Sequence, residues 1–306
     1  MDRNLKIILQ YDGSAYSGWQ VQNRPVEAPQ QGLVGDAQRK SCRTVQGELM
    51  EAISKVVHHG LDLVGAGRTD RGVHALGQTA SFLTESTIPE FNLLMAINSH
   101  LLQDIAVVDI KEVPLDFNAR FSALGKHYRY TFYRSSVRNV FARNWSCRVS
   151  EQLDITAMTE ASSLLVGQMD FRAFSCKSKN APETTVRTVH AVKVVESPPF
   201  LFIDVLGRGF LYNMVRTIAG TLLEVGRGKR SPSSIRELLL SCDRRQAGPT
   251  AEPQGLCLVE VFYTKDVMDK YLATVKASQG GSSHLRQPRF QSPDSFCPPA
   301  LSISKG

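Results

Sequence analysis

The sequence lacks the patterns of several common protein classes. It has no run of about 18 consecutive apolar residues, the length that a membrane-spanning helix needs, so we expect no contact with a membrane. Its six cysteines include no Cys-x-x-Cys pair. A chain of 306 residues buries enough apolar surface to fold without disulfides. These absences favour a globular protein of a reducing compartment.

The usual nucleotide and metal motifs are also missing. The segment that begins Gly65-Ala66-Gly67 has Asp70 and no third glycine, which does not fit a dinucleotide-binding loop. No glycine-rich segment ends in Gly-Lys-Ser or Gly-Lys-Thr, so a P-loop is excluded. The histidines are scattered except for His58 and His59, and adjacent residues of a helix do not face one metal ion. We therefore expect no metal and no organic cofactor.

What the chain does have is an excess of positive charge. It contains 36 Lys and Arg against 29 Asp and Glu, a formal net charge of +7. Counterion release makes a polyanion such as RNA or DNA a favourable partner for such a surface. Many basic proteins bind no nucleic acid, so charge alone leaves both interpretations open. The first residues run directly into a strand-like segment with no space for a signal peptide, which predicts a cytoplasmic location.

Strand-like and helical segments follow one another irregularly in both halves of the chain. Without steady βαβ alternation, this order predicts an α+β fold. We expect one domain at residues 1–114, a second at 115–265, and a surface loop at 22–43. After Lys265 a short helical stretch leads into a Ser-, Gly- and Pro-rich end, so 266–306 is interpreted as a disordered tail. The main predicted strands are 5–11, 78–83, 105–113, 126–133, 185–195, 201–206 and 256–263, and the main helices begin near 44, 89, 155, 210 and 232.

One loop has an unusual chemical composition. Between the glycines of residues 65–72 stand Arg68, Asp70 and Arg71. A carboxylate flanked by guanidinium groups is expected to have a pKa below its usual range, and so to stay ionised as a nucleophile or base. The alternative is a plain surface turn, because Asp-x-Gly is ordinary turn chemistry with solvated charges.

The order of the residues distinguishes these alternatives. The run Gly-Ala-Gly-Arg-Thr-Asp-Arg-Gly-Val-His-Ala at 65–75 resembles the active-site segment of the tRNA pseudouridine synthase A (TruA) family. Further blocks are similar to the same family and occur in its order, over about residues 4 to 264. These blocks are 11–14, 18–20, 44–46, 117–123, 128–130, 209–216 and 255–256.

The resemblance implies a fold and an activity. The implied fold has two mixed α/β domains of RNP or ferredoxin-like type, whose antiparallel sheets form a central basic cleft. The implied reaction converts uridine to pseudouridine at positions 38–40 of the tRNA anticodon stem-loop, without a cofactor. A homodimer is also implied, with one tRNA spanning both subunits.

Three residues inherit catalytic roles from the resemblance. Asp70 matches the aspartate that starts cleavage of the glycosidic bond, whether by attacking the sugar or base or by removing a sugar proton. Tyr128 matches the tyrosine that packs on the uracil, whereas Tyr130 and Tyr133 are interpreted as core residues. Arg216 matches the basic partner of the carboxylate. If that pair is buried, deleting either residue is expected to strand a charge at a cost of about 3–5 kcal/mol.

Four further residues are expected to contact the substrate. Arg68 matches an arginine that takes the place of the flipped base in the stem, a step that base-acting enzymes need. Arg71 is an additional charge beside Asp70 that can bind phosphate. His74 and Gln78 complete the set, although His74 has the alternative role of satisfying the loop itself.

Three other functions remain as alternatives at this point. The same chemistry on a different RNA is the first, and the long 22–43 segment permits it. The second is an RNA-binding module without catalysis, which intact Asp70, Tyr128 and Arg216 disfavour. The third is a carboxylate-dependent hydrolase, which the absence of metal ligands or a second placed carboxylate disfavours.

Overall fold

A computed structural model of the chain describes residues 2–21, 43–176 and 183–277. The expected 22–43 loop and residues 278–306 of the expected tail lie almost wholly outside this part. The described strands are β1 (Arg3–Tyr11), β2 (Val64–Gly65), β3 (His74–Thr84), β4 (Ile105–Val113), β5 (Gly125–Arg134), β6 (Cys147–Val149), β7 (Gly167–Asp170), β8 (Val186–Ser197), β9 (Phe200–Arg208) and β10 (Leu256–Phe262). The described α-helices are α1 (Val45–Val57), α2 (Glu90–His100), α3 (Ile155–Ser163), α4 (Met214–Gly226), α5 (Ser234–Ser241) and α6 (Lys265–Ala277).

The strands form one mostly antiparallel sheet in the order β4-β1-β3-β10-β5-β9-β8-β7, with β2 beside β3 and β6 beside β5. The mixed α/β class predicted from the sequence is therefore confirmed. The expectation of separate sheets differs from this arrangement, since β10 of the second half pairs in parallel with β3 of the first. The pairing of β10 with β3 is short and consists of Cys257 opposite His74 and Leu258 opposite Ala75. Such a pairing depends on residues far apart in sequence, which local patterns do not report.

Helix α1 shows how local sequence sets an element. Thr44 takes an extended conformation and its hydroxyl accepts a hydrogen bond from the backbone N–H of Gly47 at 3.2 Å, which caps the helix. Val45, Leu49 and Ile53 recur at helical spacing and are buried, as predicted. The helix ends at His58, which has a left-handed conformation.

Helix α6 is the short helical stretch expected after Lys265, and it lies within residues 266–306, which were interpreted as a disordered tail. The helix packs back on the sheet, with the hydroxyl of Tyr271 2.9 Å from Nδ1 of His127. The Tyr271 ring also lies 5.4 Å from that of Phe262. The composition of the whole segment hides this contact, because the side chains that pack on the sheet, Met268 and Tyr271 among them, lie in the first residues of a long polar segment. Within the described part of the chain, no helix has the length and apolar character needed to cross a membrane.

The register of the central strands places the candidate site. Leu258 of β10 pairs with Ala75 of β3 on one side and with Tyr128 of β5 on the other. Ala75 lies five positions after Asp70, so the loop carrying the carboxylate and the strand carrying Tyr128 meet across β10. The site therefore lies where the two halves of the sheet join.

Candidate active site

The loop that carries Asp70 is held by contacts from three directions. The hydroxyl of Tyr11 lies 2.8 Å from Oγ1 of Thr69, and the backbone N–H of Trp19 donates to the Thr69 carbonyl at 3.0 Å. The side-chain amide of Gln78 donates to the carbonyl of Gly67 at 2.8 Å. These bonds fix the backbone on both sides of Asp70, which is the preorganisation that a catalytic group needs.

Two glycines allow the loop its close turn. Gly72 has φ +78°, a left-handed conformation that costs other residues energy. Gly18 has φ +104°, and a Cβ atom there would lie 2.7 Å from the carbonyl oxygen of Thr69. The turn is closed by the backbone N–H of Val73, which donates to the carbonyl of Asp70 at 3.1 Å.

Arg216 reaches Asp70 from the first turn of α4. Its Nη1 lies 3.4 Å from Oδ2 of Asp70. The same nitrogen donates to Oδ1 of Asn213 at 2.9 Å, and Nε donates to the carbonyl of Ala251 at 2.7 Å. Three acceptors thus hold the guanidinium group, so its direction does not depend on Asp70 alone.

The expectation of a depressed pKa for Asp70 is wrong. Burial raises the pKa of Asp70 above its usual range, and the charge and hydrogen bond of Arg216 offset this only in part. Arg68 and Arg71 do not contribute, because both side chains are exposed to solvent and neither contacts the carboxylate. Adjacency in sequence placed the arginines near Asp70, but the turn directs them outward.

Tyr128 lies buried close to the carboxylate. Its ring packs edge-on against Phe210, with ring centroids 5.1 Å apart. Burial raises the pKa of Tyr128, and the negative charge of Asp70 adds to the effect, so the phenol stays neutral. Tyr130 is fully buried and its hydroxyl donates to the carbonyl of Glu252 at 2.8 Å, which confirms it as a core residue.

A pocket of about 560 Å³ opens in front of Asp70, within the range of small-molecule sites. Seven of its ten lining residues escaped the sequence prediction of the site, among them Arg143, Asn144 and Tyr212. Tyr212 precedes Asn213 in a block that resembles the family, so its position offered a signal. Arg143 and Asn144 come from a segment without helix or strand periodicity, and nothing in the sequence linked them to Asp70. The main lining residues are Asp70, Arg71, Arg143, Asn144, Tyr212 and Arg216.

The four residues expected to contact substrate divide into two exposed and two buried. Arg71 lines the pocket, and Arg68 stands outside it with its Nε donating to Oε1 of Gln20 at 3.2 Å. Gln78 is fully buried and its side-chain amide holds the carbonyl of Gly67, which favours a role in positioning the loop, and its contact with substrate stays a prediction. Its amide lies beneath the loop that carries Asp70.

His74 is likewise buried beneath the loop. Its Nδ1 accepts from the backbone N–H of Gly13 at 3.1 Å and lies 3.2 Å from Oδ1 of Asp12. The ring of Trp145 stacks on it, with centroids 4.8 Å apart and planes 24° apart. These contacts agree with the alternative role of His74, in which its ring provides hydrogen bonds to neighbouring loop residues. Across the described ranges, no group of three or more His, Cys, Asp or Glu side chains is arranged to hold a metal ion.

Comparison with known proteins agrees with this arrangement. A family described as tRNA pseudouridine synthase matches residues 7–122 and 161–264. The chain belongs to the tRNA pseudouridine synthase family. The matched ranges contain Asp70 and Arg216, whereas Tyr128 and Arg143 fall between them.

Several members of the tRNA pseudouridine synthase family are similar over most of their length. A protein named tRNA pseudouridine synthase A from Geobacter sp. (strain M21) is 44% identical over 262 residues, covering 85% of this chain and 99% of the relative. One of the same name from Syntrophomonas wolfei is 43% identical, covering 86% and 98%. Another from Acetivibrio thermocellus is 41% identical, covering 85% and 100%.

Proposed function

We propose that this chain converts uridine to pseudouridine in tRNA, with Asp70 as the catalytic carboxylate. The observation that carries the proposal is the contact of Asp70 with Arg216 at one pocket, with Tyr128 buried near enough to feel the charge of the carboxylate, in a member of the tRNA pseudouridine synthase family. The reaction is an isomerisation. The bond from N1 to the ribose breaks, the base turns, and its C5 joins the same ribose carbon while a proton leaves C5 and N1 gains one.

Each catalytic residue has a task that its position supports. Asp70 acts in its ionised form, either on the sugar or base or as the base that removes a sugar proton. Arg216 keeps the carboxylate ionised and aimed into the pocket, because its own direction is fixed by Asn213 and Ala251. Tyr128 packs on the uracil and limits escape of the freed base. No cofactor takes part in this scheme.

The target is proposed to be uridine 38, 39 or 40 of the anticodon stem-loop. Such a base must leave the helical stack to reach the half-buried carboxylate of Asp70. Arg68 is exposed beside the loop, where it can fill the place of the flipped base, and Arg71 is exposed at the pocket wall for a phosphate. The net charge of +7 favours a basic cleft between the halves 1–114 and 115–265, since each half contributes to the pocket.

The proposal extends to a cytoplasmic homodimer in which one tRNA spans both subunits. In such a dimer each subunit makes only part of the contacts with the tRNA, and its partner makes the rest. Light scattering of the free protein and of its tRNA complex measures the stoichiometry. Two chains per particle support the dimer, and a monomer that is fully active contradicts it.

Tritium release tests the reaction and its targets together. Pseudouridine formation frees the hydrogen at C5, so tRNA transcripts with 5-tritiated uridine report each turnover. Transcripts that retain uridine at only one of positions 38, 39 and 40 assign the target. We expect release from at least one of them and none from a transcript with cytidine at all three. Equal release from that last transcript assigns the activity to another uridine of the tRNA, and no release from any transcript assigns it to another RNA.

A further inference from the structure

The connection between β5 and β6, residues 135–146, presents large apolar side chains to solvent. We call it the β5–β6 loop. Phe141 is 77% exposed, and Val137, Val140 and Trp145 are also exposed. The loop contains Arg138 and Arg143 and no Asp or Glu. A cluster of exposed apolar residues on a folded protein marks a binding surface.

The loop is held in shape by its own hydrogen bonds. Oδ1 of Asn139 accepts from the backbone N–H groups of Phe141 at 2.9 Å and Ala142 at 3.1 Å. The carbonyl of Ala142 accepts from the backbone N–H of Trp145 at 3.0 Å and from Oγ of Ser146 at 2.8 Å. Phe141 is therefore directed outward by an ordered turn.

One end of the β5–β6 loop forms part of the catalytic pocket. Arg143 and Asn144 line the pocket together with Asp70. Trp145 stacks on buried His74. This contact anchors the end of the β5–β6 loop beside the loop that carries Asp70. A ligand that fills the pocket and extends past Arg143 therefore meets the exposed residues of the same loop.

The composition of this surface selects one kind of occupant. Aromatic rings provide stacking faces for unpaired bases, and arginines without neighbouring acids attract phosphates. Paired bases in a stem have both faces covered by their neighbours, so stacking on a side chain is available to unpaired ones. The loop itself provides no acidic partner for Arg138 and Arg143, and the phosphates of a nucleotide chain near Asp70 supply that negative charge.

We propose that the β5–β6 loop binds an unpaired nucleotide of the anticodon loop beside the target uridine, with Phe141 stacked on its base and Arg143 paired with its phosphate. This assignment rests on the proposed function, because it takes the RNA in the pocket to be a tRNA stem-loop. The stacking of Phe141 would require an unpaired base next to the target uridine.

Equilibrium binding of a fluorescent anticodon stem-loop RNA tests the stacking contact. Phe141→Ala is expected to raise the Kd about tenfold, the scale of one lost base–aromatic stack. Phe141→Trp restores affinity, whereas Phe141→Leu, which is apolar without an aromatic face, does not. Phe91→Ala is the matched control, since Phe91 on α2 is 73% exposed and is not among the pocket residues. It should leave the Kd unchanged.

Salt dependence tests the phosphate contact separately. Arg143→Ala should reduce the slope of log Kd against log salt concentration by about one phosphate contact. A stem-loop lacking the base that Phe141 stacks on should bind the wild type as weakly as the intact RNA binds Phe141→Ala. The Phe141→Ala substitution should then cost nothing further with that RNA.

Three results overturn the proposal. One is a Kd within twofold of wild type for Phe141→Ala, and another is full rescue by Phe141→Leu. The third is a change of oligomeric state in Phe141→Ala with RNA affinity kept, which assigns the surface to a second protein chain. Tritium release by the wild type is measured in parallel. Its absence with tRNA refutes the proposed function, whereas the binding series decides on the loop independently.

Discussion

Asp70 and Arg216 are 146 residues apart in the sequence, yet their side chains meet at 3.4 Å in the pocket where the two halves of the sheet join. The contact is longer than a close charge-assisted hydrogen bond. Burial outweighs it, so the pKa of Asp70 lies above its usual range. A carboxylate with a raised pKa is a stronger base than one on the surface, and the contact with Arg216 favours its ionised form.

The acid limb of the pH profile should report this pKa. Activity needs ionised Asp70, so kcat/KM is lost as pH falls through the raised pKa, at a higher pH than an ordinary aspartate near 3.9 would give. Removing the guanidinium in Arg216→Met takes away the group that lowers this pKa, and the acid limb of the residual activity moves further up. The measurement is tritium release across the pH range.

Arg71→Met is the control for that shift. Arg71 adjoins Asp70 in sequence but is exposed and does not influence its pKa. Its removal should leave the position of the acid limb unchanged, even where it weakens tRNA binding. An equal shift in both variants would mean that general positive charge, rather than the Arg216 contact, sets the titration.

Asp70→Asn should raise the stability of the free protein at neutral pH. The folded-state pKa of Asp70 lies above its unfolded value, so the folded protein binds the proton more tightly and stability falls as pH rises through the folded pKa. Asparagine removes that unfavourable ionisation. Arg216 is not stranded, because Asn213 and Ala251 still accept its hydrogen bonds. The expected loss of about 3–5 kcal/mol for an orphaned partner therefore does not apply to this variant.

Thermal unfolding at several pH values checks this point. The Tm advantage of Asp70→Asn over wild type should shrink as pH falls below the folded pKa of Asp70, since the wild-type carboxyl is then neutral as well. Asp62→Asn, at an exposed position just upstream, should show no such trend. A lower Tm for Asp70→Asn at neutral pH would contradict the direction of the pKa shift.

Asn213 should be needed for the direction of Arg216. It caps α4 in a left-handed conformation, φ 61°, and its Oδ1 accepts from Arg216. Asn213→Gly keeps the backbone freedom and loses the acceptor, so kcat should fall about ten- to a hundredfold with little change in stability. Asn213→Ala loses both, so it should also cost about 1–2 kcal/mol of unfolding free energy. Equal stability of the two variants would show that the backbone there is not strained.

Gln78 should affect catalysis by holding the loop that carries Asp70, and not by contacting the RNA. Gln78→Met fills a similar volume but leaves the half-buried carbonyl of Gly67 without its donor, which costs about 1 kcal/mol of unfolding free energy. We expect kcat to fall while the Kd for tRNA stays near the wild-type value. Gln168→Met, on exposed β7, is the control for the substitution itself. A raised Kd with normal kcat would return Gln78 to the substrate-binding set.

The elements that were predicted correctly are those with strong local signals. Thr44 begins α1 as predicted because its side chain caps the helix, and the buried positions of that helix recur at the spacing seen in the sequence. Pairing between β3 and β10 was not predicted, since it joins segments about 180 residues apart through a short contact. The single sheet follows from that pairing.

The candidate site was predictable only where a resemblance marked it. Asp70 and Arg216 lie in blocks with a family pattern, and the structure brings them together. The pKa of Asp70 was predicted in the wrong direction, because burial and the outward direction of Arg71 depend on the folded loop. Arg143 was missed because the β5–β6 loop has no periodic pattern. The parallel pairing of β6 with β5 and the stacking of Trp145 on His74 bring it to the pocket.

The central claim is that Asp70 carries out the isomerisation of uridine in tRNA. Single-turnover pseudouridine mapping on unmodified tRNA, with wild type, Asp70→Asn and Asp62→Asn, tests it most directly. We predict pseudouridine in the anticodon arm with wild type and Asp62→Asn, and none with Asp70→Asn, which still binds tRNA with a Kd near that of wild type. Near-normal turnover by Asp70→Asn would remove the carboxylate from the mechanism and contradict the account.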